Sequence, residues 1–245
     1  MTLSSTTSVA DRWRKPIIAI ALILPSLATW IYFFQAANAA AGVQLLVYNV
    51  VKALQFLLPA VWFFGVQRDR PVWYSTSGRS LLIGAAFGLA VAGAMAAVYV
   101  GVLRDAPWMG DAIAQMKQKV QGFGIDAPWK YAALGVFYSL CHSLLEEYYW
   151  RWFVFGQLTR IASLRTAVLV SSLGFMAHHI LVLGKFFGFA SGATWLFSLS
   201  VAVGGVAWAM LYHASRALWA PWLSHLIVDA AIFTLGYFLV SDLWL

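Results

Sequence analysis

Long apolar runs separated by short polar segments constrain the fold of this chain more than any other feature of its sequence. Each run is long enough to cross the hydrocarbon core of a bilayer as an α-helix, which takes about 20 residues. Only 10% of the residues are charged, whereas soluble domains have about 25%. We therefore expect an all-α, polytopic membrane helix bundle of about seven transmembrane helices. The predicted spans are residues 17–34, 43–65, 80–103, 129–160, 164–183, 193–213 and 219–240.

Lysine and arginine residues concentrate in alternate segments between these runs, and this pattern predicts the orientation of the bundle. Because cytoplasmic loops of membrane proteins carry an excess of Lys and Arg, we expect an integral, multi-pass membrane protein with a cytoplasmic N-terminus. The same loops account for the formal charge of +7, so the charge does not indicate a nucleic-acid partner. The sequence QAANAAAG after the first run resembles a signal-peptidase site, which leaves open that the first apolar segment is cleaved.

The chain divides into two parts. Residues 1–128 contain a polar tail, 1–15, the first three apolar runs, and a polar segment, 104–128, in which we predict a short interfacial helix. Residues 129–240 contain the later runs and most of the ionisable residues that lie within apolar sequence. We therefore look for a functional site in the second part.

Two adjacent residues, Glu146 and Glu147, are the only glutamates in the chain and lie within the fourth apolar run. Ionisable groups at membrane depth are costly and usually face a polar interior or a cavity. Arg151 follows Glu147 by four residues, which places the two on one face of a helix. His142 and Glu146 have the same spacing on a face rotated by about 100°. Arg151 can therefore hold one carboxylate while the other points elsewhere.

Later runs carry polar residues at a similar depth. His179 lies in the fifth run, and His225 and Asp229 lie four residues apart in the last run. Counted from the arginines at the ends of these runs, with a rise of about 1.5 Å per residue, Glu146, His179 and Asp229 all lie roughly 20 Å deep. We therefore expect three helices to bring these residues together around one pocket.

These residue types suit the hydrolysis of a peptide bond. Water is a poor nucleophile, and a carboxylate can remove its proton as it attacks. A histidine can orient the water or share the proton. The tetrahedral oxyanion that forms needs hydrogen-bond donors fixed in place, which a histidine and a neighbouring acid on another helix can supply.

Three short motifs, in order on separate predicted helices, resemble those of a known family. They are Glu146-Glu147-YYW-Arg151, Phe175-MAH-His179 and His225-LIV-Asp229. In these motifs the chain resembles the CPBP family (the Abi family of CAAX-prenyl-protease and bacteriocin-processing membrane proteins), whose motifs are EExxxR, FxxxH and HxxxN or HxxxD. The resemblance covers residues 129–235, and the first three runs carry no motif that matches it.

The resemblance implies an intramembrane endopeptidase that matures a C-terminal or leader peptide of a membrane-associated substrate. In that reading Glu146 is the general base and His179 assists it, while His225 and Asp229 stabilise the oxyanion. Position 229 is Asp where many members have Asn, which donates a hydrogen bond without first being protonated. The implied partners are a peptide or lipidated-protein substrate and the lipid bilayer.

The supporting residues and two alternatives complete the prediction. Glu147 and Arg151 form an ion pair behind the site, and we interpret His142 and His178 as packing or structural residues. We favour a mechanism without a metal cofactor. A metal-dependent protease with Glu146 and two histidines, His179 and His225, as ligands is one alternative, and a non-catalytic immunity or scaffold protein that binds a peptide is the other.

Overall fold

The computed structural model describes residues 8–37, 39–70 and 74–245, and all regular structure within these ranges is helical. The first helices are α1 (Val9–Trp30, extended by Ile31–Gln35), α2 (Ala41–Ala60, extended by Val61–Gln67), α3 (Gly78–Val98, extended by Tyr99–Leu103) and α4 (Met109–Gly122). They are followed by α5 (residues 128–158), α6 (Leu164–Phe187), α7 (Gly192–Ser215) and α8 (Trp219–Val240). The expected polytopic helical bundle is confirmed.

Six of these helices, α1, α2, α3, α6, α7 and α8, are long and apolar enough to cross a membrane. The expected count of about seven is not confirmed, because α5 is not among the six. Glutamates, Arg151 and many Tyr and Trp residues lower the mean hydropathy of α5. Its position explains that composition, since Glu147 and Arg151 are 0% and 1% exposed and therefore face protein.

The glutamates of α5 lie between two π-helical turns. The segment Ser143–Glu147 is α-helical, and the turns Tyr138–His142 and Tyr148–Phe155 flank it. Such turns are rare in proteins as a whole, and those that occur are often found at functional sites. The second turn forms the centre of the apolar core, where Tyr149, Trp150 and Phe153 are at most 1% exposed. Glu146 and Glu147 therefore lie at the edge of the apolar core.

Helices α3 and α8 pack at unusually close range, and this contact positions the last motif. A Cβ atom at Gly88 would lie 2.8 Å from the carbonyl oxygen of Ser224 and 3.0 Å from the Cβ of Ile227. Small residues at such crossings let helix backbones approach within a membrane. This close contact between α3 and α8 fixes the rotation of α8, and its position along the helix axis, at Ser224, the residue before His225.

Several boundaries differ from those predicted. The fifth span was predicted to end at residue 183, but α6 continues to Phe187 and ends at Gly188, whose φ of 83° favours glycine. The polar tail was expected to precede the first helix, but α1 begins at Val9 after the cap residue Ser8. Residues 1–7 of that tail, and residue 38 of QAANAAAG, lie outside the described residues. The predicted polar segment 104–128 contains one helix, α4.

Candidate active site

The carboxylate of Glu146 lies among three imidazole rings from three helices. Its Oε1 is 3.4 Å from Nε2 of His142, one turn earlier on α5, and 3.6 Å from Nε2 of His178 on α6. Its Oε2 is 3.7 Å from Nε2 of His225 on α8. Glu146 is 5% exposed. These separations are longer than ordinary hydrogen bonds, so the carboxylate retains capacity for a further partner.

The neighbouring carboxylate of Glu147 connects His225 to Arg151. Nδ1 of His225 donates to Glu147 Oε1 at 2.9 Å, and Nε of Arg151 lies 3.1 Å from Oε2. The guanidinium carbon of Arg151 lies 4.7 Å from the ring centroid of Phe175 and 5.3 Å from that of Trp208. Arg151 is therefore held by one charge and two aromatic faces, and it in turn fixes the carboxylate that orients His225.

A second contact restrains the ring of His225. The indole of Trp208 on α7 stacks on it with a centroid separation of 4.1 Å and an interplanar angle of 15°. The indole N–H donates to Ser224 Oγ at 3.0 Å, which ties Trp208 to the same turn of α8. Stacking and the bond to Glu147 together leave the ring of His225 little rotational freedom.

Asp229 lies one turn beyond His225 on α8. Its Oδ1 is 3.6 Å from Nε2 of His225, and its side chain is 15% exposed, compared with 6% for the side chain of Glu146. Nε2 of His225 therefore faces two carboxylates, those of Glu146 and Asp229, from different helices. Three of the predicted site residues, Glu146, His225 and Asp229, therefore meet at Nε2 of His225.

His179 is held differently from the other histidines. Its Nδ1 is 2.9 Å from the carbonyl oxygen of Phe175. Because a carbonyl only accepts, Nδ1 carries the proton, and Nε2 of the neutral ring is an acceptor. The ring lies against His178 with a centroid separation of 4.2 Å. Among the described residues, no carboxylate oxygen lies within 4.0 Å of its ring nitrogens.

The structure thus brings together Glu146, Glu147, Arg151, His225 and Asp229, and it places His179 one side chain away, beside His178. It also adds two residues that the sequence interpretation treated as packing or structural. Both His142 and His178 contact the carboxylate of Glu146 directly. The four-residue spacing of His142 and Glu146 was the available signal, since it places both on one helix face.

A metal site is not evident from the arrangement of possible ligands. In the ranges that the structure describes, no group of three or more His, Cys, Asp and Glu side chains is arranged so that it could hold a metal ion. His225 Nε2 lies 3.7 Å from the carboxylate of Glu146, but no carboxylate oxygen of the described residues lies within 4.0 Å of a ring nitrogen of His179. Glu146, His179 and His225 therefore do not form the three-ligand group of the metal-dependent alternative.

Comparison with known proteins addresses the segment that builds this site. Residues 128–231, somewhat less than half of the chain, match the family model described as "Type II CAAX prenyl endopeptidase Rce1-like". A search of curated proteins and a search of solved structures found no match. The match spans α5 to α8 and all three motifs. The segment that carries the site is therefore similar to the Rce1-like type II CAAX prenyl endopeptidases, which confirms the resemblance seen in its motifs and supports an integral membrane protease.

Proposed function

We propose that this protein is an intramembrane endopeptidase in which Glu146 activates water. The observation that carries the proposal is the buried carboxylate of Glu146, which lies among imidazoles from three helices within the segment similar to endopeptidases. A buried acid without an arginine or lysine in direct contact is costly in a membrane protein and indicates a functional site. Arg151, the arginine that the described residues bring to the site, lies against Glu147.

In the proposed reaction, the water oxygen attacks the carbonyl carbon of the scissile peptide bond while Glu146 takes a proton from the water. His179 orients the water through Nε2, the acceptor nitrogen that its bond to Phe175 leaves free. His142 and His178 hold the carboxylate in place. The proton on Glu146 then passes to the peptide nitrogen as the C–N bond breaks, which yields a carboxylic acid and an amine.

The tetrahedral oxyanion forms opposite Glu146 and is stabilised by His225 and Asp229. Nδ1–H of His225 donates to Glu147. Nε2 can therefore donate to the oxyanion only when the ring is protonated on both nitrogens. Asp229 donates when it is protonated; otherwise it accepts from Nε2 of His225 and fixes the ring. Donors that are positioned before the reaction are worth about 10²- to 10³-fold in kcat each. The ring of His225 is positioned in this way by Glu147, Arg151 and Trp208.

The substrate that fits this site is a peptide segment that reaches membrane depth. The matched family is described as acting on CAAX prenyl proteins. We extend that substrate class to this chain, so that a C-terminal or leader peptide of a membrane-associated, lipidated protein is cut. The predicted cytoplasmic N-terminus places the segment between α5 and α6, which contains Arg160, and the first turn of α6, which contains Arg165, on the cytoplasmic side.

The proposal is tested with purified protein in liposomes and a fluorescent farnesylated peptide that ends in Cys-Val-Ile-Met. Wild-type protein should cleave it, and Glu146→Gln should reduce cleavage by at least about 10²-fold, the effect of losing a positioned base. Asp242→Asn, a matched acid-to-amide change at an exposed site, should cleave at the wild-type rate. Undiminished cleavage by Glu146→Gln would exclude its role as the base.

The same preparation separates the two alternatives. Loss of cleavage after stringent chelation, restored by a divalent ion, would favour the metal-dependent protease. Saturable binding without cleavage, unaffected by Glu146→Ala, would favour a peptide-binding scaffold.

A further inference from the structure

Helix α2, which lies outside the segment that matches the family, carries a lysine near its middle. The side chain of Lys52 is partly buried, and its ammonium lies 6.0 Å from the ring centroid of Tyr48 and 5.5 Å from that of Phe56. A lysine near the middle of a membrane-spanning helix is rare and usually faces a polar interior. The aromatic rings on either side of Lys52 hold its charge away from the acyl chains.

The charge of Lys52 has no direct counter-ion. Its Nζ lies 3.4 Å from Oε1 of Gln55, a residue that is 1% exposed. No carboxylate oxygen of the described residues lies within 4.0 Å of Nζ. An ammonium has three donors, so at least two remain available for a ligand. Arg151 differs in this respect, because Glu147 opposes its charge at 3.1 Å.

Two side-chain contacts connect Lys52 to the site. The ring of Phe56 meets His142 edge to face at a centroid distance of 6.2 Å, and His142 contacts Glu146. On the other side, the hydroxyl of Tyr48 lies 3.3 Å from that of Tyr138 on α5. The ring of Tyr138 lies 4.8 Å from that of His142. Lys52 and the two tyrosines are therefore donors that are connected to Glu146 through His142.

We propose that Lys52 and the hydroxyl pair of Tyr48 and Tyr138 bind the C-terminal carboxylate of the substrate. This inference rests on the proposed endopeptidase function and adds a specificity determinant from the N-terminal helices. A peptide that enters a low-dielectric site with a free carboxylate needs a cation and hydrogen-bond donors there. When one hydroxyl donates to the other, the second O–H is free to donate to the carboxylate.

Contacts run from Lys52 to Phe56, from Phe56 to His142 and from His142 to Glu146. A carboxylate bound at Lys52 therefore lies near the scissile bond, and the enzyme discriminates against internal peptide bonds that lack a nearby C-terminus.

A purely electrostatic role for Lys52 makes a different prediction. As a distant counter-ion to Glu146, Lys52 would support every substrate equally, whatever its C-terminus. The farnesylated Cys-Val-Ile-Met peptide with a free C-terminal acid, and the same peptide with a C-terminal carboxamide, distinguish these roles because only the first carries the charge that Lys52 would bind.

The experiment measures kcat/KM for both peptides in liposomes, together with their binding to Glu146→Gln. Wild-type protein should prefer the acid over the amide by about 10- to 100-fold, the usual effect of a hydrogen bond to a charged group. Lys52→Met should reduce that ratio to within about threefold by slowing cleavage of the acid alone. Lys52→Arg should retain most of the preference, and Lys185→Met, a control at another aromatic contact, should retain all of it.

The outcomes separate this inference from the proposed function. Equal cleavage of the two peptides by wild-type protein, or equal binding of both to Glu146→Gln, overturns the carboxylate assignment. An unchanged acid-to-amide ratio in Lys52→Met overturns it as well. If Lys52→Met lowers kcat/KM equally for both peptides while Lys52→Arg stays active, Lys52 serves to balance charge. That result also overturns the carboxylate assignment. In each of these results, cleavage that depends on Glu146 leaves the endopeptidase proposal standing.

Discussion

The paired variants His178→Gln and His179→Gln test which of two adjacent imidazoles shares the catalytic water with Glu146. A group that holds a carboxylate contacts it directly, as His178 does at 3.6 Å. A group that shares a water with the carboxylate lies further away, because each of the two intervening hydrogen bonds is about 2.8 Å long. His179, which lies beside His178 and makes no direct contact with a carboxylate, fits the second description.

The expected magnitudes differ for the two positions. Loss of a group that orients water or shares its proton lowers kcat by about 10² to 10⁴. Glutamine at position 179 has no basic ring nitrogen, so His179→Gln should show that loss. Glutamine at position 178 can still donate an N–H to Glu146, so His178→Gln should remain within about tenfold of wild type. Both substitutions conserve polarity within a buried environment.

The assay is the cleavage of the farnesylated peptide in liposomes, with kcat and KM determined separately and the thermal unfolding of each variant measured in detergent. We expect the loss in His179→Gln to fall on kcat and the unfolding temperature to stay close to that of wild type. The reverse order, with His178→Gln inactive and His179→Gln active, would refute the water-sharing argument and assign the role to the imidazole in contact with Glu146.

Three further variants test the supporting structure. Arg151→Met should lower the free energy of unfolding by about 3 to 5 kcal/mol, measured by thermal or denaturant unfolding, because it leaves a fully buried carboxylate without its cation. Asp229→Asn should keep kcat within about tenfold of wild type, since an amide supplies a donor, whereas Asp229→Ala should lower kcat by about 10²- to 10³-fold. Gly88→Ala should destabilise the protein by about 1 to 3 kcal/mol through the close contact of α3 with α8, while Gly93→Ala, with no neighbouring atom within 4 Å, should not.

The fold was largely predictable from apolar run length, and the errors have local causes. The last span was predicted at 219–240 and is observed at Trp219–Val240, where Arg216 and the tryptophan mark its beginning. The first helix was predicted to begin after the basic tail, but Arg14 lies inside it. Arg14 is 6% exposed, and its guanidinium donates to the side chain of Gln157 at 2.6 Å. The sequence around Arg14 gives no sign that the side chain of Gln157, far along the chain, accepts a hydrogen bond from it.

Motif order and spacing indicated that Glu146, His225 and Asp229 lie near one another, as they do. They did not indicate that His142 and His178 contact Glu146. Adjacent residues on a helix differ by about 100° in direction, so the choice between His178 and His179 depends on how α6 rotates in the bundle. That rotation is fixed by packing, because His178 stacks in parallel on Trp150 of α5. The π-helical turns of α5 change the register on both sides of the glutamates, and no residue pattern predicted them.

Lys52 and Asp229 together allow a final test of the two roles for the lysine. Asp229 adds a carboxylate to the site where related motifs also allow an amide, and the alternative role for Lys52 is to balance the negative charge of the site. In that case Asp229→Asn should rescue Lys52→Met, and the double-mutant cycle for cleavage should show strong coupling. If Lys52 binds the substrate carboxylate, the neutral residue at 229 cannot replace the lost cation, and the two effects on acid cleavage should add to within about 0.5 kcal/mol. The carboxamide peptide provides the internal control, because its cleavage should then respond to Asp229→Asn alone. Strong coupling with both peptides would contradict the carboxylate assignment.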